Sequence, residues 1–193
     1  MQWLSIMKDI HTREQFKALV QKMVGLTLSE VLYYEIEYEK PGYAYQPDIG
    51  HFLDFGLDLV ADDGKCFAIL WDSTFFQFGL GVYRNSAKEL LRNTHWWTVT
   101  NDSQWQQFIG KTIESAEIYW SWVAGSLDAP EETRTYYPQD IVLTFSNNRR
   151  IYVSASEYEE KSDSVCGLSD NVMVVFSDCI ASKYQLAQFA TNS

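Results

Sequence analysis

Basic residues are scarce in this chain: 15 Lys and Arg stand against 26 Asp and Glu in 193 residues, so the formal net charge at pH 7 is −11. No segment gathers the basic residues into a patch that could hold a phosphate backbone or an anionic lipid surface. We therefore expect neither nucleic acid nor a membrane among its partners. The acidity can serve solubility alone, or it can form an anionic face that attracts a cationic protein.

Cysteines are also few. Cys66, Cys166 and Cys179 are an odd number, and they show no CxxC spacing and no Cys/His spacing. This pattern is typical of reduced thiols in the cytoplasm rather than of a disulfide framework or a zinc site. The N-terminal sequence lacks a basic segment followed by a long apolar run, and no window has the roughly 18 apolar residues of a membrane-spanning helix. We expect a cytoplasmic protein.

Motifs of known catalytic and cofactor sites are missing. His11, His51 and His95 lie far apart and outside any HxH or HExxH pattern. The chain has no GxSxG and no P-loop, and the GxG at Gly79 and Gly81 lacks the third glycine of a dinucleotide site. We predict no catalytic residue, no metal site, no cofactor and no enzymatic activity. An enzyme whose site is assembled from distant acids and a histidine is one alternative.

Apolar and aromatic residues, in contrast, are abundant, at 46% and 16% of the chain. The wealth of Trp, Tyr and Phe favours strands over helices. A chain of this length buries about 70% of its unfolded surface, so it needs no disulfide or metal to fold. We expect one globular domain over residues 1–193.

Two segments resemble each other at a distance of 85 residues. When "LVQKMVGLTLSEVLYYEIE" is laid on "QWQQFIGKTIESAEIYWSWV", Gly25 falls on Gly110 and Thr27 on Thr112. With one residue inserted, "LYY" then falls on "IYW", and later segments keep the same order and apolar phase. The sequence therefore predicts an internal duplication.

Each predicted repeat contains a helix, four strands and a final helix. "TREQ", which begins at Thr12, has capping-box form, and "ADDGK" and "SNNRR" are typical hairpin turns. The strands on either side of these turns alternate apolar and polar residues. We predict an α+β fold of two tandem α-β-β-β-β-α repeats, about 1–93 and 94–193, whose antiparallel sheets and flanking helices are related by a pseudo-twofold axis. The remaining helices are expected from Asp102 or Ser103 and over about 86–92 and 178–189.

The aromatic segment "TIESAEIYWSWVAGS" can be a recognition surface or a core strand. Trp105, Trp120 and Trp122 fall on apolar residues of the first repeat, which favours a core common to both repeats. Trp120 and Trp122 should face that core, and Glu117 and Tyr119 should lie on the opposite face of the strand.

The linking segment "THWWTV" has no counterpart in the duplication. Its Trp96 and Trp97 therefore form either a contact between the repeats or part of a binding surface. A small-ligand or carbohydrate-binding module that stacks its ligand on surface tryptophans is a second alternative.

The combination "IYWSWVAGS…YPQDIVLTFSNNRRIYVSASEY…DNVMVVF" with "FGLDLVADDGKCFAILWDSTFFQFGLGVY" resembles small acidic bacterial proteins of uncharacterised function. Some of these look like immunity proteins encoded beside secreted toxins. The resemblance covers most of the chain and contains no motif of known activity. It implies a cytoplasmic binding protein and carries over no catalytic residue.

The leading prediction is a non-enzymatic cytoplasmic binding protein, an immunity-type inhibitor that docks a basic toxin through an acidic surface. Two long loops, 40–50 and 125–140, are expected between the first and second strands of the repeats. The acidic loop "DAPEETRTYYPQD" and the segment "SEYEEKSDS" should make most of the contact. The predicted binding residues are Glu131, Glu132, Tyr136, Tyr137, Asp140, Glu157, Glu159, Glu160, Trp96, Trp97, Glu117 and Tyr119.

Overall fold

Three antiparallel sheets and three short helices form the described part of the chain, which confirms the predicted α+β class with flanking helices. The structure is a computed structural model that describes residues 10, 12–36, 44–46, 48–92, 94–126 and 130–188. The helices are α1 (Arg13–Val20), α2 (Ala87–Leu90) and α3 (Asp178–Lys183), with 3-10 turns at Gln21–Met23, Trp105–Gln107 and Glu131–Thr133. The strands are β1 (Leu28–Ile36), β2 (Ala44–Gln46), β3 (Gly50–Leu53), β4 (Gly56–Ala61), β5 (Cys66–Asp72), β6 (Gly79–Tyr83), β7 (Thr94–Thr98), β8 (Ile113–Val123), β9 (Thr135–Phe145), β10 (Arg150–Ser154), β11 (Ser156–Glu159), β12 (Ser164–Gly167) and β13 (Val172–Val175).

The two large sheets each contain a four-stranded antiparallel meander. The first sheet has the order β6-β5-β4-β1-β7, and the second has the order β2-β3-β13-β10-β9-β8. The meander of the first sheet consists of β1, β4, β5 and β6, and the meander of the second consists of β8, β9, β10 and β13. Two departures from the predicted strands stand out. The predicted loop 40–50 contributes β2 and the start of β3 to the second sheet, and the segment "THWWTV" forms β7 beside β1.

The two predicted hairpin turns are confirmed. Ala61 N–H donates to Lys65 O at 2.8 Å, and Phe145 N–H donates to Arg149 O at 2.9 Å, so the same turn closes both hairpins. Gly64 has a φ of 81° and Asn148 a φ of 60°, the left-handed conformation that Gly and Asn adopt most readily.

The capping box at Thr12 is also confirmed, whereas the other helices are shorter than predicted. Thr12 Oγ1 accepts from Gln15 N–H at 3.2 Å, and the Gln15 side chain accepts from Thr12 N–H at 3.0 Å. The helix expected at Asp102 is a single 3-10 turn, because the Asp102 carboxylate bonds to Gln104 N–H and the chain already reverses at Gly110, whose φ is 72°. Helix α3 ends at Lys183, and residue 189 lies outside the described residues.

The inner faces of the two sheets share one apolar core. Helix α1 closes one side of this core with Phe16, whose ring lies 5.9 Å from the Trp120 ring. Trp120 is buried as predicted, but Trp122 is only half-buried, so its predicted place in the core is corrected. The core includes Val31, Tyr33, Leu57, Leu59, Phe67 and Ile69 of the first sheet and Ala116, Ile141, Leu143, Phe145, Ile151, Val153, Val172 and Val174 of the second.

A short helix packs on the outer face of each large sheet. Ala87 of α2 packs on Leu32, Tyr34 and other outer residues of the first sheet. Ala181 of α3 packs on the outer face of the second sheet, in the cluster that includes Tyr152 of β10. The core between the sheets is thus flanked by two smaller apolar clusters.

The first strands of the two meanders meet at Thr27 and Thr112. These residues form an isolated antiparallel bridge, and their Oγ1 atoms lie 3.1 Å apart. The backbone bonds around them come in reciprocal pairs. They are Gly25 N–H to Ile113 O (2.8 Å), Gly110 N–H to Leu28 O (2.7 Å), Leu28 N–H to Lys111 O (3.0 Å) and Ile113 N–H to Leu26 O (2.9 Å).

The one-residue insertion in the sequence alignment disagrees with the burial of the two strands. It matched Tyr33 with Tyr119, but Tyr33 lies in the shared core whereas Tyr119 packs on the outer cluster of the second sheet. Without the insertion Tyr33 matches Ile118, and both pack in the shared core. Both strands also shift register near their starts, β1 between Leu28 and Glu30 and β8 between Ile113 and Ser115.

Gly56 provides a test of the β4–β5 pairing. Its φ is +143°, and a Cβ there would lie 2.1 Å from the Ile69 backbone oxygen. We expect Gly56→Ala to lower the free energy of unfolding by about 1–3 kcal/mol, because it adds both backbone strain and a clash. Urea denaturation followed by tryptophan fluorescence measures the change.

The matched control for this substitution is Gly125→Ala, since a Cβ at Gly125 meets nothing within 4 Å. It should change the free energy of unfolding by less than about 0.5 kcal/mol. Equal losses for the two variants would contradict the close approach at Gly56.

Candidate functional site

The β11–β12 pair, Ser156–Gly167, forms an acidic hairpin apart from the two large sheets. Glu157, Glu159 and Glu160 are exposed. None of the three forms an ion pair with a residue that the structure describes. Ser162 Oγ donates to Glu159 Oε2 at 2.7 Å, which orients one carboxylate without neutralising it. This element holds three of the predicted binding residues.

The base of the acidic hairpin is held by the Gln139 side chain. Gln139 lies where the β8–β9 register shifts, between the Tyr119–Asp140 and Trp120–Pro138 pairs. Its Oε1 accepts from Leu168 N–H at 3.2 Å. Its Nε2 lies 2.7 Å from Ala155 O, 2.9 Å from Ser156 Oγ and 3.2 Å from Ser154 Oγ, and its two hydrogens are shared among these three acceptors. One amide therefore fixes both strands of the hairpin to β9 and β10.

Tyr158 ties the hairpin to the rest of the protein. Its ring stacks on Phe52 at 6.0 Å and meets Tyr184 edge-on at 5.7 Å. Its hydroxyl donates to Asp163 Oδ1 at 3.1 Å, and Lys183 Nζ lies 2.8 Å from Asp163 Oδ2. Hydrogen bonds from Lys183 and Tyr184 lower the pKa of Asp163 to about 2. Lys183 thus pairs with Asp163 and not with the exposed glutamates.

Glu117 and Tyr119 lie on the outer face of the second sheet, as predicted for the face opposite Trp120. Tyr119 donates to Glu117 Oε2 at 3.0 Å, and burial raises the pKa of the Tyr119 hydroxyl. Glu117 is exposed, while Tyr119 is half-buried against the outer cluster. This pair belongs to the same sheet as the base of the acidic hairpin.

Tyr137 and Asp140 are buried, at 4% exposure each, which corrects the expectation that they lie on an exposed loop. The reason is that β9 already begins at Thr135, inside the predicted loop 125–140. The Tyr137 ring packs 6.1 Å from Phe76. Asp140 Oδ2 accepts from Ala187 N–H at 3.0 Å, and burial raises the pKa of Asp140 to about 6.

Glu131 and Glu132 lie in the 3-10 turn before β9, and Tyr136 lies at the start of β9, whereas the acidic hairpin follows β10. The two glutamates are exposed in a 3-10 turn, and Tyr136 is half-buried. The Tyr136 hydroxyl donates to Glu131 Oε1 at 3.3 Å, and the Arg13 guanidinium lies 4.1 Å from its ring centroid. The structure therefore does not bring the twelve predicted residues into one patch.

Cations cover several of the tryptophan rings. Arg13 lies 4.8 Å from the Trp120 centroid, and Arg134 lies 4.1 Å from that of Trp122. The predicted binding residue Trp96 is exposed at 46%, but Lys88 Nζ lies 3.3 Å over its ring. A cation–π contact therefore already covers one face of each of these rings.

Trp97, the neighbouring predicted residue, is half-buried and packs against the shared core. Its ring lies 5.2 Å from that of His95. Strand β7 therefore turns one tryptophan towards the core and the other towards solvent, as adjacent strand residues must. Trp97 therefore packs on the core side of β7.

A polar network lies inside the core. Trp105 Nε1–H donates to the Tyr33 oxygen at 2.6 Å, and the Tyr33 hydroxyl lies 2.6 Å from His51 Nδ1. The Tyr33 hydroxyl therefore links Trp105 to His51, and His51 Nε2 lies 3.9 Å from Asp102 Oδ1. Burial lowers the pKa of His51 to about 4, against the opposing charge of Asp102. His51 is a neutral core residue at pH 7.

Glu35 is a buried acid that the sequence interpretation missed. It is 3% exposed, its Oε2 accepts from Asp54 N–H at 2.9 Å, and Asp54 Oδ2 accepts from Ile36 N–H at 2.9 Å. Among the described residues, Glu35 Oε1 has no hydrogen-bond partner. Burial, together with Asp54, raises the pKa of Glu35 to about 9. The signal in the sequence was a single acid inside the apolar run "VLYYEI".

The described residues contain no group of three or more His, Cys, Asp or Glu placed to hold a metal ion. Cys66, Cys166 and Cys179 are free thiols. Within the described residues, no helix is both long enough and apolar enough to cross a membrane.

No family model, no curated protein and no solved structure matches the chain.

The buried Glu35 predicts a pH dependence of stability. The folded protein keeps this proton up to about pH 9, whereas the unfolded chain releases it near the ordinary value of 4.5. The stability linked to this group is therefore fully present below pH 4.5 and is lost as the pH rises towards 9, by at most about 1.4 kcal/mol per pH unit. In Glu35→Gln this loss should vanish, so the variant gains stability relative to the parent as the pH rises. Urea denaturation across this range measures it.

The control for this experiment is Glu114→Gln, which neutralises an exposed acid of β8. Its stability should follow that of the parent protein at every pH. Parallel pH curves for Glu35→Gln and the parent would refute the protonated state of Glu35.

Proposed function

We propose that this chain is a non-enzymatic cytoplasmic binding protein, an immunity-type inhibitor that docks a basic protein such as a toxin through its acidic hairpin. The observation that carries the proposal is the set of exposed carboxylates at Glu157, Glu159 and Glu160, which have no cationic partner among the described residues. The resemblance to immunity-like proteins agrees with it.

The electrostatics of the hairpin support a cationic partner. Three like charges within four positions repel one another, and a cationic surface relieves this repulsion and steers association. The base of the hairpin is held by Gln139 and by the Tyr158 contacts. A segment fixed in advance loses little conformational entropy on binding. Rigidity and charge together suit a docking element.

A cytoplasmic location agrees with the free thiols at Cys66, Cys166 and Cys179, since the last two are exposed and would be open to oxidation outside a reducing compartment. The alternative of a carbohydrate-binding module has less support, because Lys88 and Arg134 cover faces of Trp96 and Trp122 that a sugar ring would need.

The fold also supports our proposal that the chain arose by tandem duplication, with a pseudo-twofold axis near Thr27 and Thr112. Exchange of the two segments converts the bond from Gly25 to Ile113 into the bond from Gly110 to Leu28. The two meanders share their strand order, and their first strands shift register at matching positions. Strands β2, β3, β7, β11 and β12 would then be additions to the common unit.

A partner can be isolated by native pull-down from extracts of the source cells at low and high salt, and identified by mass spectrometry. We expect a basic protein that is captured at low salt and released at high salt. Glu157→Gln, Glu159→Gln and Glu160→Gln together should raise its Kd about 10-fold, because exposed ion pairs contribute about 0.2–1 kcal/mol each. Calorimetric titration of the purified partner measures the Kd.

Glu131→Gln with Glu132→Gln removes exposed charge elsewhere and serves as the control, so it should leave the Kd nearly unchanged. Binding that ignores both salt and the hairpin substitutions would contradict the proposal. If the partner is a toxin, co-expression of the chain should also restore growth to cells that produce it.

A further inference from the structure

A cleft of about 350 Å3 lies between helix α1 and the edge strand β6 of the first sheet. Its apolar wall is formed by Ile10, Phe16, Leu19 and Val82. Cavities of this size are at the lower end of those that hold small molecules. The cleft belongs to neither the acidic hairpin nor the buried polar network.

Two cations line the cleft in a protein whose net charge is −11. Lys22 follows α1, and Arg84 follows β6; both are exposed. Neither side chain forms an ion pair or a hydrogen bond with any described residue. Their charges are therefore available to a ligand, although carboxylates are abundant elsewhere on the chain.

Among the described residues that line the cleft, the acid Asp72 is already engaged. Asp72 Oδ2 accepts from the Tyr83 hydroxyl at 2.5 Å and from Thr74 Oγ1 at 2.8 Å, and Asp72 Oδ1 accepts from Thr74 N–H at 2.7 Å. Three donors from its own neighbourhood thus disperse the charge of this carboxylate. Lys22 and Arg84 have no such compensation from the part of the chain that the structure describes.

We propose that this cleft binds a small amphipathic carboxylate, with its apolar body on Phe16, Leu19 and Val82 and its carboxylate at Lys22 and Arg84. The apolar wall favours a hydrocarbon body over a polar one. A guanidinium matches the geometry of a carboxylate, and an ammonium adds a second charge. An amine is disfavoured because two uncompensated cations face it.

The choice of ligand charge makes the proposal testable. The overall charge of −11 repels anions and attracts amines. A preference for the anion can therefore come only from the local cations. We expect the purified protein to bind hexanoate, octanoate or decanoate more tightly than the alcohol and the amine of the same chain length, as measured by calorimetry. Shifts of the amide signals of Leu19 and Val82 in two-dimensional NMR locate the site.

Lys22→Ala with Arg84→Ala should weaken carboxylate binding about 10-fold and leave alcohol binding unchanged. Lys111→Ala with Arg149→Ala removes the same two charges from exposed positions outside the cleft, so it should bind the carboxylate like the parent protein. Because all four side chains are exposed, circular dichroism should show both variants folded.

Three results of the binding titrations would overturn the proposal. They are tighter binding of the amine than of the carboxylate, equal loss of affinity in the two double variants, and no binding of any of the three carboxylates at millimolar concentration. NMR shifts confined to residues outside the cleft would also overturn it.

Discussion

The junction at Thr27 and Thr112 fixes how the two sheets face each other. Four backbone hydrogen bonds and one contact between hydroxyls join the starts of β1 and β8. Each sheet has an inner apolar face that must be covered, and the other sheet covers it. The junction lies at the starts of both strands, directly before the register shift in each. The outer faces are then small enough for helices of four and six residues to cover.

Local features of the fold were predictable, and non-local ones were not. The two turns follow from Asp63 and Gly64 and from Asn147 and Asn148, whose conformations depend on a few neighbouring residues. The Thr12 cap is equally local. The addition of β3 to the second sheet is different, because it depends on pairing with β13, more than a hundred positions away. A strand pattern indicates which side chains are buried but not which sheet receives the strand.

The candidate sites show the same limit. An alternating pattern places an acid on a solvated face, yet Glu35 is buried, and its pKa is raised to about 9. Asp140 was assigned to an exposed loop, but β9 extends through that loop and buries it. The exposed glutamates of the acidic hairpin were predictable, since an acidic segment rich in Ser and Glu between strands is seldom buried. Its rigid base was not, because Gln139 acts across the sheet.

The distribution of the cations explains why many acids form no ion pair among the residues that the structure describes. Arg13, Arg134 and Lys88 lie on aromatic rings, where each gains a cation–π contact instead of a carboxylate. Lys22 and Arg84 line the cleft and form no ion pair with a described residue. Within the described residues, Glu157, Glu159 and Glu160 are therefore less compensated than the totals of 26 acidic and 15 basic residues suggest. Net charge describes the average field, whereas recognition depends on which charges the fold leaves unpaired. A surface can thus be strongly anionic at the hairpin and cationic at the cleft of the same molecule.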